Sequence, residues 1–163
     1  MKFLLPALFC AVLGLAPTRS EARDMHGRLG LGYNSQFSNS LVDGGVPGIS
    51  LKYGLTRDIA AALIVGGKTS NPLNSVTAIK FFKNLFFETN LNFYFMLAGG
   101  IVSAGSGASA EFLGGMGAEF FIPGVESLGF SVETGVSFSN ATGSFQLKTI
   151  GVSFLHAGIH FYF

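Results

Sequence analysis

Residues 128–138 read LGFSVETGVSF, and this stretch decides the fold. Large apolar side chains alternate there with glycine, serine, threonine and glutamate. The apolar positions are Leu128, Phe130, Val132, Val136 and Phe138. Alternation with a period of two is typical of a β-strand that has one apolar and one polar face.

The same alternation recurs along the chain, separated by segments rich in turn-forming residues. It predicts strands at about 27–34, 46–55, 59–66, 75–82, 90–102, 109–121, 128–138 and 149–163. Most have roughly the length that a tilted strand needs to cross a hydrocarbon layer, about ten residues. The sequence therefore predicts an all-β fold, an eight-stranded antiparallel up-and-down transmembrane β-barrel. The facing of its fourth strand stays open.

The composition favours a membrane protein that has no spanning helix. Hydrophobic residues make up 48% of the chain and charged residues only 12%, whereas a soluble domain has about 25% charged residues. The most apolar stretch after residue 17 is 91–102, and Asn92 and the pair Gly99-Gly100 interrupt it. Only helices and closed barrels satisfy their own backbone hydrogen bonds in lipid, so a barrel remains.

The distribution of glycine indicates which face of the strands meets lipid. Glycines fall on the polar face of most strands, and the remaining polar side chains are too few to coat a solvated surface. We therefore expect the apolar face to point outward. Paired aromatics near strand ends, which suit interfacial girdles, are Phe81-Phe82, Phe86-Phe87, Phe120-Phe121 and 161–163. A soluble barrel with these aromatics in its core is the alternative.

The first 22 residues resemble a secretory signal peptide. Lys2 precedes an apolar core over 3–16, and Ser20 and Ala22 are small residues at the −3 and −1 positions of a cleavage site. We predict a signal peptide at 1–22 and a barrel domain at 23–163, with an uncleaved anchor as the alternative. Cleavage would remove Cys10, which leaves no disulfide, thiol chemistry or cysteine-based metal site.

The charge balance argues against nucleic acid as a partner. Cleavage would remove Lys2, Arg19 and Glu21, leaving eight basic and eight acidic residues and no net formal charge. A neutral chain lacks the basic surface that nucleic-acid binding requires. Three histidines without cysteine make no recognisable metal site, so we expect no metal and no cofactor.

The carboxyl-terminal residues 156–163, HAGIHFYF, resemble the assembly signal of bacterial outer-membrane barrels, in which His156, Gly158, Phe161 and Phe163 match the specified positions. Residues 23–163 resemble the small barrels of the OmpA, OmpX and opacity-protein class. The resemblance implies a bacterial outer-membrane location, insertion by the barrel-assembly machinery, and contact with outer-membrane lipids and lipopolysaccharide.

An even strand number places both termini on one side, which we assign to the periplasm. The outer connections are then 35–45, 67–74, 103–108 and 140–148, and their shortness argues against a loop-borne adhesin.

The predicted lumen carries charges of both signs. Side chains fill the interior of an eight-stranded barrel, and an enclosed ion needs a partner because its desolvation costs several kcal/mol. Glu133 and His156 lie on neighbouring strands and are placed to hydrogen-bond, while Lys80 and Glu119 flank the fifth strand. We expect an inward polar network, structural or gating, formed by Arg28, Lys52, Lys80, Glu111, Glu119, Glu133 and His156.

The sequence favours a monomeric, non-enzymatic barrel with a structural or surface-interaction role. A narrow gated pore or small-ligand transporter is the second interpretation, and a lipid-modifying enzyme is the third. For an enzyme, Ser153 and His156 point to opposite faces of a strand. Ser137, Glu133 and His156 share the lumen, but acyl chains approach from the lipid side.

Overall fold

The computed structural model of the protein describes residues 24–37, 45–69, 73–104, 107–140, 143–150 and 155–163. The strands of this described part are β1 (Leu29–Asn34), β2 (Gly48–Gly54), β3 (Ile59–Lys68), β4 (Asn74–Glu88), β5 (Leu91–Ala104), β6 (Gly107–Ile122), β7 (Val125–Ser139), β8 (Gln146–Thr149) and β9 (His156–Tyr162). The predicted signal peptide and its cleavage residues lie outside the described residues.

The strands form one closed antiparallel sheet. Neighbours in sequence pair from β1 to β7, and β9 closes the barrel by pairing with both β1 and β7. β8 and β9 lie along different parts of the same edge of β7, because β8 pairs with its carboxyl-terminal end and β9 with its amino-terminal half. The wall therefore has eight strand positions, which confirms the predicted eight-stranded antiparallel barrel.

The predicted eighth strand differs from the structure at its start. Residues 146–148, assigned by the sequence to an outer connection, already pair with β7 in β8. Glu133 pairs with His156, whereas Val136 pairs with Thr149, so β8 and β9 do not share one continuous register with β7. An interrupted ladder obscures the period-two pattern that located the other strands.

The predicted strand bounds leave two connections at the periplasmic side, residues 83–89 and 122–127, and both are much shorter in the structure. β4 runs to Glu88, so residues 83–88 belong to a strand and only Thr89 and Asn90 connect it to β5. A register shift between Asn84 and Phe86 breaks the alternation there, which hid the strand in the sequence. The connection predicted at 122–127 likewise shrinks to the turn residues Pro123 and Gly124, where Gly124 has a φ of 86°.

Burial alternates along the strands, and the large apolar side chains lie on the exposed face, which is the reverse of a soluble barrel. On β4, Val76, Ala78 and Lys80 are buried, whereas Thr77 and Ile79 are exposed, which settles the facing of the fourth strand. Large apolar side chains remain exposed on the outer face of every wall position, as Leu31, Leu97 and Phe161 illustrate. The outer surface of the barrel is therefore apolar.

Three aromatics that the sequence placed in the outer girdles point inward instead, namely Phe82, Phe121 and Tyr162. Phe82 and Phe121 are 4% and 2% exposed, while their neighbours Phe81 and Phe120 lie on the outer face. Adjacent residues of a strand face opposite sides, so a pair of aromatics cannot belong entirely to one girdle. Phe82 packs edge-on against Tyr94, with ring centroids 5.2 Å apart.

Candidate functional site: two polar clusters in the barrel lumen

The inner face of the wall combines large polar side chains with glycines that leave room for them. A Cβ atom on Gly117 would lie 2.8 Å from Glu133 Cγ and 2.9 Å from the Tyr94 ring. A Cβ on Gly129 would lie 3.0 Å from Glu119 Oε1. Glycines at these positions on β6 and β7 therefore make space for two buried glutamates.

Glu133, on β7, is the centre of the first cluster. Its Oε2 accepts from Lys80 Nζ at 2.6 Å, and its Oε1 accepts from the Tyr94 hydroxyl at 2.7 Å. Gln36 Nε2 also donates to Oε2, while Gln36 Oε1 accepts from Lys80 Nζ at 2.6 Å. His156 Nδ1 lies 3.7 Å from Oε2. We call these five residues the Glu133 cluster.

Glu119, on β6, is the centre of a second cluster with nearly the same composition. Lys52 Nζ donates to its Oε2 at 2.8 Å, and the Tyr162 hydroxyl donates to its Oε1 at 2.6 Å. His160 Nδ1 lies 3.8 Å from Oε1, and the other ring nitrogen of His160 lies 3.1 Å from Ser50 Oγ. We call these five residues the Glu119 cluster.

The two clusters lie at different heights in the barrel. The pairing of β6 with β7 places Ser131 opposite Glu119, so Glu133 lies two positions further along β7. At about 3.3 Å per residue, this separates the glutamates by about 7 Å along the strand direction. We call the end of the barrel where β1 starts and β9 finishes the terminal end. The Glu133 cluster is the nearer of the two to the opposite end, which we call the loop end.

Each cluster has the contacts that a buried ion pair requires. Desolvation of two charges can exceed their mutual attraction unless further hydrogen bonds satisfy the remaining atoms. Both oxygens of each glutamate have a donor, one from lysine and one from tyrosine. The clusters therefore tie together side chains from strands that are far apart around the wall.

The remaining predicted lumen residues lie beyond the two clusters. Glu111 is fully buried towards the loop end, where its Oε1 accepts from the Ser137 hydroxyl at 2.7 Å. Arg28, just before β1 at the terminal end, is only half-buried, and its guanidinium carbon lies 5.7 Å from the centre of the Tyr162 ring. Ser137 thus contacts Glu111, whereas the sequence had grouped it with Glu133 and His156.

Sequence reasoning missed Gln36 and Phe37, which follow β1 and were assigned to an outer connection. Both side chains are buried, Gln36 in the Glu133 cluster and Phe37 in the apolar part of the lumen. Asn34 fixes this turn, since its Oδ1 accepts from the Gln36 backbone N–H at 3.0 Å. The Val46 backbone N–H donates to the Phe37 carbonyl at 2.9 Å and closes this turn. The sequence offered no periodic signal here, because the chain has already left the strand.

The residues of the predicted carboxyl-terminal signal divide between the two faces of β9. His156 is buried in the Glu133 cluster, whereas Phe161 and Phe163 are exposed on the outer face with ring centroids 5.1 Å apart. Gly158 faces Ser131, whose Oγ would lie 2.6 Å from a Cβ at that position. The role of these residues in assembly stays a prediction.

Within the described ranges, no helix is long and apolar enough to span a membrane. In the same ranges, no group of three or more histidine, cysteine, aspartate or glutamate side chains is placed to hold a metal ion.

The described strands form a closed antiparallel wall of eight positions, which is the fold of a small eight-stranded β-barrel. No protein-family model and no curated protein sequence matches the chain. Among solved structures, the fold is similar to the crystal structure of the N-terminal β-barrel domain of Pseudomonas aeruginosa OprF. The TM-score is 0.53 at 17% sequence identity, over 83% of this chain and 96% of that domain. At this level of identity the similarity establishes the fold.

Proposed function

We propose that the chain is an integral, non-enzymatic protein of a bacterial outer membrane, with a structural or surface-interaction role. The observation that carries this proposal is the inverted distribution of side chains. Leucine, isoleucine, valine and phenylalanine cover the outer wall, while Lys52, Lys80, Glu119 and Glu133 are enclosed. Such a surface suits acyl chains and would be unfavourable in water.

The apolar outer wall indicates which molecules surround the barrel. We propose that lipids and lipopolysaccharide cover the outer wall of a monomeric barrel, and that the terminal end faces the periplasm. The similarity of fold to a barrel domain of OprF supports the outer-membrane location. The two clusters then serve to stabilise a filled lumen.

Introducing a charge in the middle of the outer wall tests the proposed lipid contact. Leu97 is 69% exposed near the centre of β5, and Leu97→Lys should destabilise the barrel in phospholipid vesicles by about 2–4 kcal/mol. Urea titration read by heat-modifiable gel migration measures the change. Leu73, in the connection between β3 and β4, is 63% exposed and provides the control. Leu73→Lys should cost about 0–1 kcal/mol, because it lies near the interface. Equal, small effects of both variants would contradict a lipid-facing wall.

A narrow pore is the second candidate, because two Lys–Glu pairs are stacked along one lumen. Conduction would require lysines to exchange partners between the glutamates. Planar-bilayer recordings of the refolded protein distinguish the two functions. We expect no unitary current steps from the wild-type barrel. Discrete steps whose amplitude changes in Glu119→Gln would support the pore and overturn the filled-lumen proposal.

A further inference from the structure

We propose that the outer wall carries a binding site for a single phospholipid whose headgroup has both a phosphate and a primary ammonium group, the chemistry of phosphatidylethanolamine. The site centres on β4 and β5 and extends from the terminal end to the middle of the wall. This inference rests on the proposed outer-membrane function, because it assigns one particular lipid to part of the surface that lipids are proposed to cover.

Two adjoining apolar grooves lie on this part of the wall. The lower groove, nearer the terminal end, has a volume of about 190 Å³ and is lined by Ile59 and Phe95, among others. The upper groove has a volume of about 480 Å³ and includes Phe112. Phe81 and Leu97 pair across β4 and β5 and line both grooves. An acyl chain that lies along the wall would therefore contact both.

The upper groove exists because two outward positions of the wall have no side chain. Gly99 on β5 pairs with Phe112, and Gly114 on β6 pairs with Leu97. Both glycines line the groove, which side chains at these positions would narrow. Leu97 and Ile101, on either side of Gly99 on the same face, are exposed, so Gly99 makes no room in the lumen. Glycine inside a strand often marks a place where a ligand approaches closely.

The length of the two grooves matches one leaflet of a membrane. Lys83 lines the lower groove, and Ile79, which pairs with Gly99, lines the upper groove four residues away on β4. At about 3.3 Å per residue, this is about 13 Å along the strand. For a strand tilt of ~40° it is about 10 Å along the barrel axis, and the apolar band of such barrels is about 25 Å tall. A chain that enters from the terminal end would therefore reach the middle of the band.

Two opposite charges lie together at the entrance to the lower groove. Lys83 Nζ lies 3.2 Å from Asp58 Oδ2, and the two side chains are 56% and 48% exposed. The Asp58 carbonyl accepts from the Asn84 backbone N–H at 2.7 Å, which fixes the turn between β2 and β3 against β4. An exposed pair contributes little to stability. An ammonium has several donors and a carboxylate several acceptor sites, so both groups can also bind a ligand.

A headgroup with a phosphate and a primary ammonium group complements this pair. Its phosphate oxygens would accept from Lys83, while its ammonium would donate to Asp58, and both contacts would be charge-assisted. The quaternary ammonium of phosphatidylcholine has no N–H to donate, and phosphatidylglycerol has no cation for Asp58. In the proposed orientation, lipopolysaccharide lies in the opposite leaflet, at the loop end. Phosphatidylethanolamine is therefore the lipid that fits both charges.

Native mass spectrometry of the refolded full chain in detergent tests the headgroup contacts. The wild-type protein should bind phosphatidylethanolamine with an affinity at least ~5-fold higher than that for phosphatidylcholine or phosphatidylglycerol with the same acyl chains. Lys83→Gln should lower the affinity for phosphatidylethanolamine at least ~5-fold, and Asp58→Asn should abolish the preference over phosphatidylcholine. Lys68, exposed at the loop end of β3, supplies the control. Lys68→Gln should stay within about twofold of wild type.

Filling the upper groove tests the acyl-chain contact separately. Gly114→Leu should lower the affinities for phosphatidylethanolamine and phosphatidylcholine alike, because it obstructs the groove and leaves the charged pair unchanged. Ala110 is an exposed position of the same strand that lines neither groove. Ala110→Leu is therefore the matched control and should change each affinity by no more than about twofold.

Heat-modifiable migration confirms that each variant is folded, so a failure of lipid selectivity is distinguishable from a failure of the barrel. A folded wild-type barrel with equal affinities for the three lipids would overturn the site and leave the outer-membrane role intact. A preference for phosphatidylglycerol, or displacement of the bound lipid by lipid A, would also overturn it. Equal losses in Lys83→Gln and Lys68→Gln, or in Gly114→Leu and Ala110→Leu, would do the same.

Discussion

Glu133→Gln is expected to destabilise the folded barrel by about 3–5 kcal/mol, because it leaves a buried lysine without its counter-charge. Lys80 is 1% exposed, and its Nζ lies 2.6 Å from Glu133 Oε2. The neutral amide would keep the shape of the side chain and one acceptor oxygen. It would also present a donor to Lys80, Gln36 or Tyr94, all of which now donate to the carboxylate.

Urea titration in phospholipid vesicles, read by gel migration without boiling, measures this loss. Asp58→Asn is the matched control, since Asp58 forms an exposed pair with Lys83 at 3.2 Å. Exposed pairs contribute about 0–1 kcal/mol, so this variant should remain close to wild type. A similarly small effect of Glu133→Gln would show that the buried pair is not formed in the membrane.

The double variant Glu133→Gln with Lys80→Met separates the cost of an unpaired charge from the loss of the pair itself. Replacing both members of a buried ion pair is often neutral or stabilising. We therefore expect the double variant to be more stable than Glu133→Gln alone. Additive losses from the two single variants would indicate that the residues do not interact.

The architecture was predictable because one physical pattern repeats around the wall. Positions that alternate between the lumen and the outer face require side chains that alternate between small or polar and large apolar. The ends of most strands could therefore be predicted to within a few residues. The pattern failed where the ladder itself is irregular. The register shift at Asn84 and Phe86 concealed the second half of β4. The offset between β8 and β9 is the reason why the predicted start of the eighth strand was wrong.

The candidate site was predictable in its composition but not in its pairing. The charged residues that face the lumen follow from strand phase alone. Lys80 pairs with Glu133, and Lys52 with Glu119, and this choice depends on how strands face each other across the barrel. Sequence carries no signal for distances across a lumen. Gln36 was missed for a related reason, because its position depends on how the chain folds back after β1.

Gly115→Ala should strongly destabilise the wall, with an expected loss of about 3 kcal/mol, the upper part of the usual range for overpacking. Gly115 pairs with Gly135 across β6 and β7. An added Cβ would lie 2.1 Å from the Thr134 carbonyl oxygen and 2.8 Å from the Cα of Gly135. Both neighbours are backbone atoms, so relief would require the two strands to move apart.

The neighbouring Gly114 supplies the control, because its side chain position faces outward. A Cβ there would lie 3.5 Å from Leu97 Cδ2, an ordinary contact. Gly114→Ala should therefore be neutral or slightly stabilising, by up to about 1 kcal/mol, since alanine restricts the unfolded chain more than glycine does. Urea titrations of the two variants in the same vesicles should differ accordingly. Equal stabilities would contradict the close approach of β6 and β7 at Gly115, and with it the glycine-lined inner wall that accommodates the buried glutamates.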